Sequence, residues 1–131
     1  MDQRLADTLD VLTALAVELR DPWWIIGSTA ALLVGAHDEV ADVDLLTSEC
    51  DARRLLKDRS SEPPLPSPLF HSSMFGRLSI APLPVEVMAK LKVRGELLVP
   101  RSRVRISWRE SALYVPSIEE QIDILRLFGR A

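Results

Sequence analysis

Hydrophobic and polar residues follow two different spacings along the chain, and the spacings divide it into helices and strands. Apolar residues that recur every three or four positions predict helices. These helices cover residues 3–20, 30–34 and 48–59, and a last helix starts at Ser117. Short apolar or alternating runs predict strands. These runs cover residues 23–26, 40–47, 84–89, 91–99, 104–108 and 112–115, with one or two further strands in residues 70–80, where Gly76-Arg77 can form a turn.

Polar residues at the predicted helix starts support these assignments. Ser28 or Thr29 can cap the second helix, and Ser48 can cap the third. Ser117 and Glu120 have the spacing of a capping box, in which each side chain bonds the backbone of the other. The predicted buried stripe of this last helix contains Ile118, Ile122, Leu125 and Phe128.

The order of elements is helix, strand, helix, strand, helix, then several strands and a final helix. This order predicts an α+β fold, a two-layer domain with a mixed β-sheet and helices mainly on one face. The 131 residues fit one domain, which we expect to span residues 1–131. The proline-rich stretch over residues 60–68 is expected to be a stiff loop rather than a domain boundary.

Composition and charge narrow the classes of function. Residues 1–65 contain 6 basic and 13 acidic residues, whereas residues 66–131 contain 10 basic and 6 acidic residues. The total charge of −3 argues against a general nucleic-acid binder. Cys50 is the single cysteine, which fits a reducing cytoplasm, and no apolar run has the length of a membrane span. The mean hydropathy of +0.10 is compatible with a homodimer or a partner protein.

Three acidic residues in apolar strands are the main candidates for chemistry. Asp42 and Asp44 are two positions apart, so their side chains lie on one face of the predicted strand, with Cα atoms about 6.6 Å apart. Glu86 stands between Val85 and Val87 in a second predicted strand. Charges in such positions need a metal ion, a basic partner or solvent. If the two strands are neighbours, the three carboxylates form a site for a hard cation such as Mg²⁺.

A second candidate feature is the strand-to-helix turn at Gly27-Ser28. Glycine lets the backbone approach a ligand closely, and the free N–H groups at a helix start favour phosphate. Lys90 follows the strand that carries Glu86. If the strand continues through Lys90 and Lys92, their side chains lie on the same side of the sheet as Glu86, and Lys90 or Lys92 can contact a triphosphate.

At these residues the chain resembles the DNA polymerase beta-like nucleotidyltransferase superfamily, in its small single-domain bacterial form. The shared pattern is an apolar strand ending in Gly27-Ser28, then Asp42-Val43-Asp44 in a strand, then Glu86 in a later strand. The resemblance covers residues 3–130. Two positions depart from it: the third acid is glutamate where many members have aspartate, and Leu125 stands where related members often have lysine.

The resemblance implies a metal-dependent nucleotidyltransferase. Asp42 and Asp44 would bind Mg²⁺ (or Mn²⁺) and the triphosphate, and Glu86 would help bind the metal and activate the acceptor hydroxyl. Gly27 and Ser28 would hold phosphate. A nucleoside monophosphate would pass from an NTP to an acceptor, which the sequence leaves open among RNA, a protein and a small molecule.

Other interpretations compete with this one. The main rival is a non-catalytic module on the same fold that binds a nucleotide or a protein and regulates. A glycosyltransferase that uses Asp-x-Asp ranks last, because the chain is too short for the usual nucleotide-binding sheet of those enzymes. The alternating arginines at 101, 103 and 105, with Arg109, suggest a phosphate or RNA track, but a solvated outer face of a sheet is the favoured interpretation.

Overall fold

The computed structural model of the chain describes residues 1–37, 39–57, 60–61, 70–71 and 74–127, with the backbone alone at 60–61 and 70–71. The helices are α1 (Gln3–Leu15), α2 (Gly27–Leu33), α3 (Glu49–Leu56) and α4 (Ile118–Leu127). The strands are β1 (Trp24–Ile26), β2 (Val43–Thr47), β3 (Ser60–Ser61), β4 (Phe70–His71), β5 (Met74–Leu78), β6 (Val85–Ala89), β7 (Lys92–Val93), β8 (Glu96–Leu97), β9 (Val104–Trp108) and β10 (Ser111–Val115). None of these helices is long and apolar enough to cross a membrane. Most of the predicted proline-rich loop, and Phe128, lie outside the described residues.

Five of the described strands form a mixed sheet in the order β1-β2-β6-β5-β3. β2 and β6 run parallel, and the other neighbours are antiparallel. A hairpin of β9 and β10 and a small sheet of β4, β7 and β8 accompany it. The predicted α+β fold with a mixed sheet is therefore confirmed.

The two faces of the central strands have different roles. Val43, Leu45, Val85 and Val87 are fully buried or nearly so, in a core shared with apolar residues of α1 and α3. Because successive side chains alternate between faces, the even-numbered neighbours of these residues lie on the opposite face. Farther along that face, Leu46 and Met88 pack in a second apolar cluster with Ile124 of α4. This face, away from α1 and α3, carries the acidic residues.

A buried carboxylate fixes the chain where α1 leads into β1. Asp51, at the start of α3, is fully buried. Its oxygens accept backbone N–H groups of Arg20 at 3.1 Å and Asp21 at 2.7 Å. The hydroxyl of Ser48 accepts the N–H of Asp51 at 3.1 Å, which confirms the predicted cap of this helix.

Several predicted boundaries differ from the structure. The first helix ends at Leu15 and continues as a short 3₁₀ turn, Ala16–Glu18, instead of reaching residue 20. The strand predicted over residues 91–99 is a tight hairpin of β7 and β8. Arg94 and Gly95 form its two-residue turn with φ of 54° and 82°, the conformation that such hairpins require. The apolar pattern of residues 91–99 does not indicate that Arg94 adopts a left-handed conformation and begins a turn.

The predicted buried stripe of the last helix is wrong. Ile118, Ile122 and Leu125 are 57%, 45% and 36% exposed, whereas Ile124 is buried. The capping box is also only half formed. Ser117 accepts the N–H of Glu120 at 3.2 Å, as predicted, but the Glu120 carboxylate bonds the backbone N–H groups of residues 101 and 102 at 2.6 and 2.8 Å. This contact holds one side of α4 against the loop before β9, and Ile124, one turn after Glu120, is buried on that side.

Candidate metal centre

The structure brings the three predicted carboxylates together. Asp44 in β2 and Glu86 in β6 are register partners on adjacent parallel strands, and Asp42 stands just before β2. One carboxylate oxygen from each residue lies within 4.8 Å of the other two. All three side chains are half-buried. The spacing leaves room for a shared ligand between them.

Local hydrogen bonds align the segments that carry these acids. The N–H of Val43 donates to the carbonyl of Pro84 at 3.0 Å, which sets the start of β2 beside the start of β6. The hydroxyl of Thr29 in α2 donates to the carbonyl of Asp42 at 3.1 Å. Thr29 therefore holds the segment before β2 instead of capping α2, which begins earlier than predicted, at Gly27, without a side-chain cap.

Gly27 lies directly against the carboxylate of Asp44. A Cβ atom added at Gly27 would be 2.7 Å from Oδ2 of Asp44, and the backbone φ of +74° is a conformation that other residues rarely adopt. Gly27 therefore allows the strand-to-helix turn to pass close to the acidic cluster. The next residue, Ser28, is half-buried, and its hydroxyl makes no hydrogen bond within the described part of the chain.

The electrostatics of the cluster favour a cation. Burial raises the pKa of the Asp42 carboxyl above its ordinary value, and the negative charge of Glu86 raises it further. Arg77 and a hydrogen bond involving Asp44 act in the opposite direction. A divalent cation among the three oxygens would offset both the burial and the mutual repulsion. A donor set of three carboxylates, all hard oxygen ligands, fits Mg²⁺ or Mn²⁺.

Arg77 belongs to this site, although the sequence pattern did not reveal it. The prediction that Gly76-Arg77 forms a turn is wrong, since both residues lie within β5. Arg77 is the register partner of Glu86, and its Nη2 atom is 2.7 Å from Oε1 of that residue. Alternation of Phe75 and Arg77 with Gly76 and Leu78 was the available signal. The pairing of β5 with β6, which aligns Arg77 with Glu86, is not encoded in either segment alone.

Lys90 is not brought to the cluster. β6 ends at Ala89, and Lys90 has a φ of 49°, so the strand does not continue through it. Four positions of extended chain separate Lys90 from Glu86, about 13 Å along the strand direction. The ammonium group of Lys90 is instead 3.3 Å from a carboxylate oxygen of Glu49. This placement lends no support to a triphosphate contact, which remains a prediction.

At least three of the four arginines in the predicted phosphate or RNA track make side-chain contacts within the chain, and Arg105 does so with the hydroxyl of Ser107 at 3.3 Å. The guanidinium of Arg103 lies 3.5 Å from the ring centre of Tyr114. The guanidinium of Arg109 is 2.7 Å from a carboxylate oxygen of Asp10. These contacts agree with the favoured interpretation, an outer face of a small sheet.

Comparison with known proteins supports the fold. No protein-family model matches the chain, and no curated protein matches it. The fold is similar to the crystal structure, at 1.87 Å resolution, of a Thermotoga maritima protein provisionally described as a nucleotidyltransferase. The TM-score is 0.83 at 22% sequence identity, and the match covers 99% of this chain and 88% of the other. The chain therefore has a nucleotidyltransferase-like fold, as the resemblance of its motifs implied.

Proposed function

We propose that this chain is a metal-dependent nucleotidyltransferase, which moves a nucleoside monophosphate from an NTP to an acceptor. The observation that carries the proposal is the convergence of Asp42, Asp44 and Glu86, with oxygens within 4.8 Å of one another. It is supported by the similarity in fold to the Thermotoga maritima protein. The acceptor stays open among RNA, a protein hydroxyl and a small molecule.

Each residue has a proposed role in the transfer. Asp42, Asp44 and Glu86 would hold Mg²⁺ or Mn²⁺, which when bound neutralises charge on the phosphates. Gly27 and Ser28 would contact phosphate oxygens beside Asp44. The acceptor oxygen bonds to the α-phosphorus, the bond from that phosphorus to the bridging oxygen breaks, and pyrophosphate leaves. Glu86 would take the proton of the acceptor hydroxyl.

A thermal unfolding experiment tests nucleotide binding. The protein is heated with each of the four NTPs, with and without Mg²⁺. A ligand at about 100 times its Kd should add roughly 2.7 kcal/mol to the stability of the native state. We expect a Mg²⁺-dependent rise in Tm for the wild type and none for the variant Asp42→Asn/Asp44→Asn.

A matched variant controls for the loss of charge. Asp7 and Asp123 are exposed acids, so Asp7→Asn/Asp123→Asn removes the same two charges away from the cluster and should keep the rise in Tm. A rise in Tm that is indifferent to Mg²⁺ or to the Asp42/Asp44 variant would refute nucleotide binding at these carboxylates. No rise with any NTP would do the same.

One observation favours a second candidate function. The ion pair between Arg77 and Glu86 engages the third carboxylate, as expected for a non-catalytic module that binds nucleotide without transferring it. Release of pyrophosphate from an NTP, measured in the presence of candidate acceptors, separates the two functions. The location in a reducing cytoplasm, which the single Cys50 suggests, remains a prediction.

A further inference from the structure

The register of the sheet places the cation Arg77 beside the candidate metal site. Ile26, Asp44, Glu86 and Arg77 stand side by side on four adjacent strands, because each is the register partner of the next. Glu86 is therefore flanked by a carboxylate on one side and a guanidinium on the other. A metal ion and Arg77 would approach Glu86 from neighbouring positions on one face of the sheet.

The contact between Arg77 and Glu86 is short and partly shielded from water. The N–O distance is 2.7 Å, and the side chains of Arg77 and Glu86 are 40% and 16% exposed. A charge-assisted hydrogen bond of this length is stronger than one between neutral groups. It stabilises the cluster without metal, because one positive charge offsets part of the repulsion among three carboxylates.

The same contact opposes the binding of a divalent cation. Oxygen ligands must approach Mg²⁺ to 2.0–2.1 Å, and an ion at that distance from Glu86 would lie close to the positive charge of Arg77. We infer, on the basis of the proposed function, that Arg77 is a positioning residue that competes with the divalent cation for Glu86. The nucleotide-free protein then binds metal mainly through Asp42 and Asp44, and weakly.

Titration with Mn²⁺ tests this inference without any measurement of activity. The free ion is followed by electron paramagnetic resonance in the absence of nucleotide. Arg77→Gln should lower the Kd for Mn²⁺ by about tenfold or more, because a charge so close to the site has a large effect. Arg77→Lys keeps the charge and should stay within about threefold of the wild type. Circular dichroism confirms that each variant is folded.

Two further variants separate the possible failures. Arg105 is exposed on β9 and its side chain contacts Ser107 at 3.3 Å, so Arg105→Gln removes the same charge elsewhere and should leave the Kd unchanged. Asp42→Asn should weaken binding strongly. If it does so while Arg77→Gln binds no more tightly than the wild type, the role of Arg77 is refuted and the metal site stands. If Asp42→Asn binds as well as the wild type, the metal site and the proposed function both fail.

A separate observation concerns the outward face of α4. Ile118, Ile122 and Leu125 form one stripe at spacings of four and three, and all three are exposed. Ile124, on another side of the helix, already packs in the second apolar cluster. The helix is thus apolar on two sides, and the described residues cover only one of them.

The charged residues beside this stripe are arranged so that they can pair between two copies of α4. Glu119 and Arg126 lie on the same flank of the stripe, near opposite ends of α4, and the exposed Asp123 is 3.9 Å from Arg126 on that side of the helix. In a two-fold symmetric pair of antiparallel helices, equal flanks meet and opposite ends of the helices lie together. Glu119 of each copy then faces Arg126 of the other, twice. We propose that a second copy of this chain covers the stripe, with the two α4 helices antiparallel.

Sedimentation equilibrium tests the dimer. Three apolar side chains per copy make a small interface, so we expect a weak dimer that is clear at about 200 µM. Ile122→Glu should give a monomer, and Val17→Glu, a change at an 84% exposed position in the turn after α1, should not. Glu119→Arg should weaken the dimer, and Glu119→Arg/Arg126→Glu should restore it. A monomeric wild type at this concentration, or no rescue by the charge swap, would overturn the proposal.

Discussion

The close approach of Gly27 to Asp44 makes Gly27→Ala a sensitive probe of the acidic cluster. The new Cβ would stand 2.7 Å from Oδ2 of Asp44, and an ordinary contact is 3.4 Å or more, so the oxygen or the turn must move by about 0.7 Å. Metal sites tolerate changes of only about 0.2 Å in ligand distance. The φ of +74° adds a strain of roughly 1–2 kcal/mol for alanine. We expect both a loss of stability and a loss of metal affinity.

Gly95→Ala is the matched control for this change. Gly95 has a φ of +82°, and a Cβ there would meet nothing within 4 Å. Urea unfolding should show losses of roughly 1–2 kcal/mol for both variants, because the backbone strain is similar. Titration with Mn²⁺ should show about a tenfold or greater rise in Kd for Gly27→Ala alone, the size of effect seen when groups that orient ligands are lost.

Two results would refute this reasoning. If Gly27→Ala binds Mn²⁺ as tightly as the wild type, its contact with Asp44 does not control the geometry of the site. If Gly95→Ala weakens binding as much, the effect comes from general loss of stability. Either result would mean that the close approach of Gly27 to Asp44 does not determine how the carboxylates bind metal.

Three further predictions concern stability. Asp51→Ala should lower the free energy of urea unfolding by about 3 kcal/mol, because two backbone N–H groups lose a buried carboxylate. Asp10→Ala, at a more exposed carboxylate, should lower it by about 1 kcal/mol. Equal losses would contradict this prediction. Although burial opposes it, hydrogen bonds lower the pKa of Glu120 below 4.5, so the stability that Glu120 contributes is full above that pH and is lost as the pH falls through the lowered pKa. The difference in unfolding free energy between the wild type and Glu120→Gln should therefore shrink between about pH 6 and pH 3. A constant difference would exclude this role. A Cβ at Gly76 would lie 2.5 Å from Cδ2 of Leu56, so Gly76→Ala should lower the stability by about 1 kcal/mol. In a double-mutant cycle, this loss should be smaller when Leu56→Ala removes the clashing side chain. An equal loss in both backgrounds would mean that the Leu56 side chain moves aside freely.

The parts of the site that depend on local spacing were predictable from the sequence. Asp44 and Glu86 stand in apolar strands, and Asp42 stands just before one; an acid in such a position needs a specific partner, and the structure brings the three together. Ser48 caps α3 as its position predicts. These features follow from interactions within a few residues or from one simple assumption about which strands are neighbours.

The parts that depend on the alignment of distant segments were not predictable in the same way. Arg77 reaches Glu86 because of the register of β5 against β6. The orientation of α4 depends on the contact of Glu120 with residues 101 and 102, which overrides the apolar spacing of the helix. Lys90 leaves the line of β6 because its backbone turns. In each case a contact or a single dihedral angle decides where the side chain lies.

The parallel pairing of β2 with β6 has a consequence for how the protein folds. Asp44 and Glu86 are neighbours in space but 42 positions apart in the chain. Bringing such distant segments together costs about 3 kcal/mol of chain entropy before any contact compensates for it. Contacts of this range slow folding, so the carboxylates should come together late, after the local helices have formed.

During synthesis, the growing chain therefore exposes Asp42 and Asp44 well before Glu86 exists to complete the cluster. The three acids come together only in the native state. A metal ion bound by these carboxylates would stabilise that state over the unfolded chain, by an amount that grows with the logarithm of its concentration above the Kd. Only a concentration of divalent cation above that Kd during synthesis would then raise the share of newly made chain that reaches its native fold.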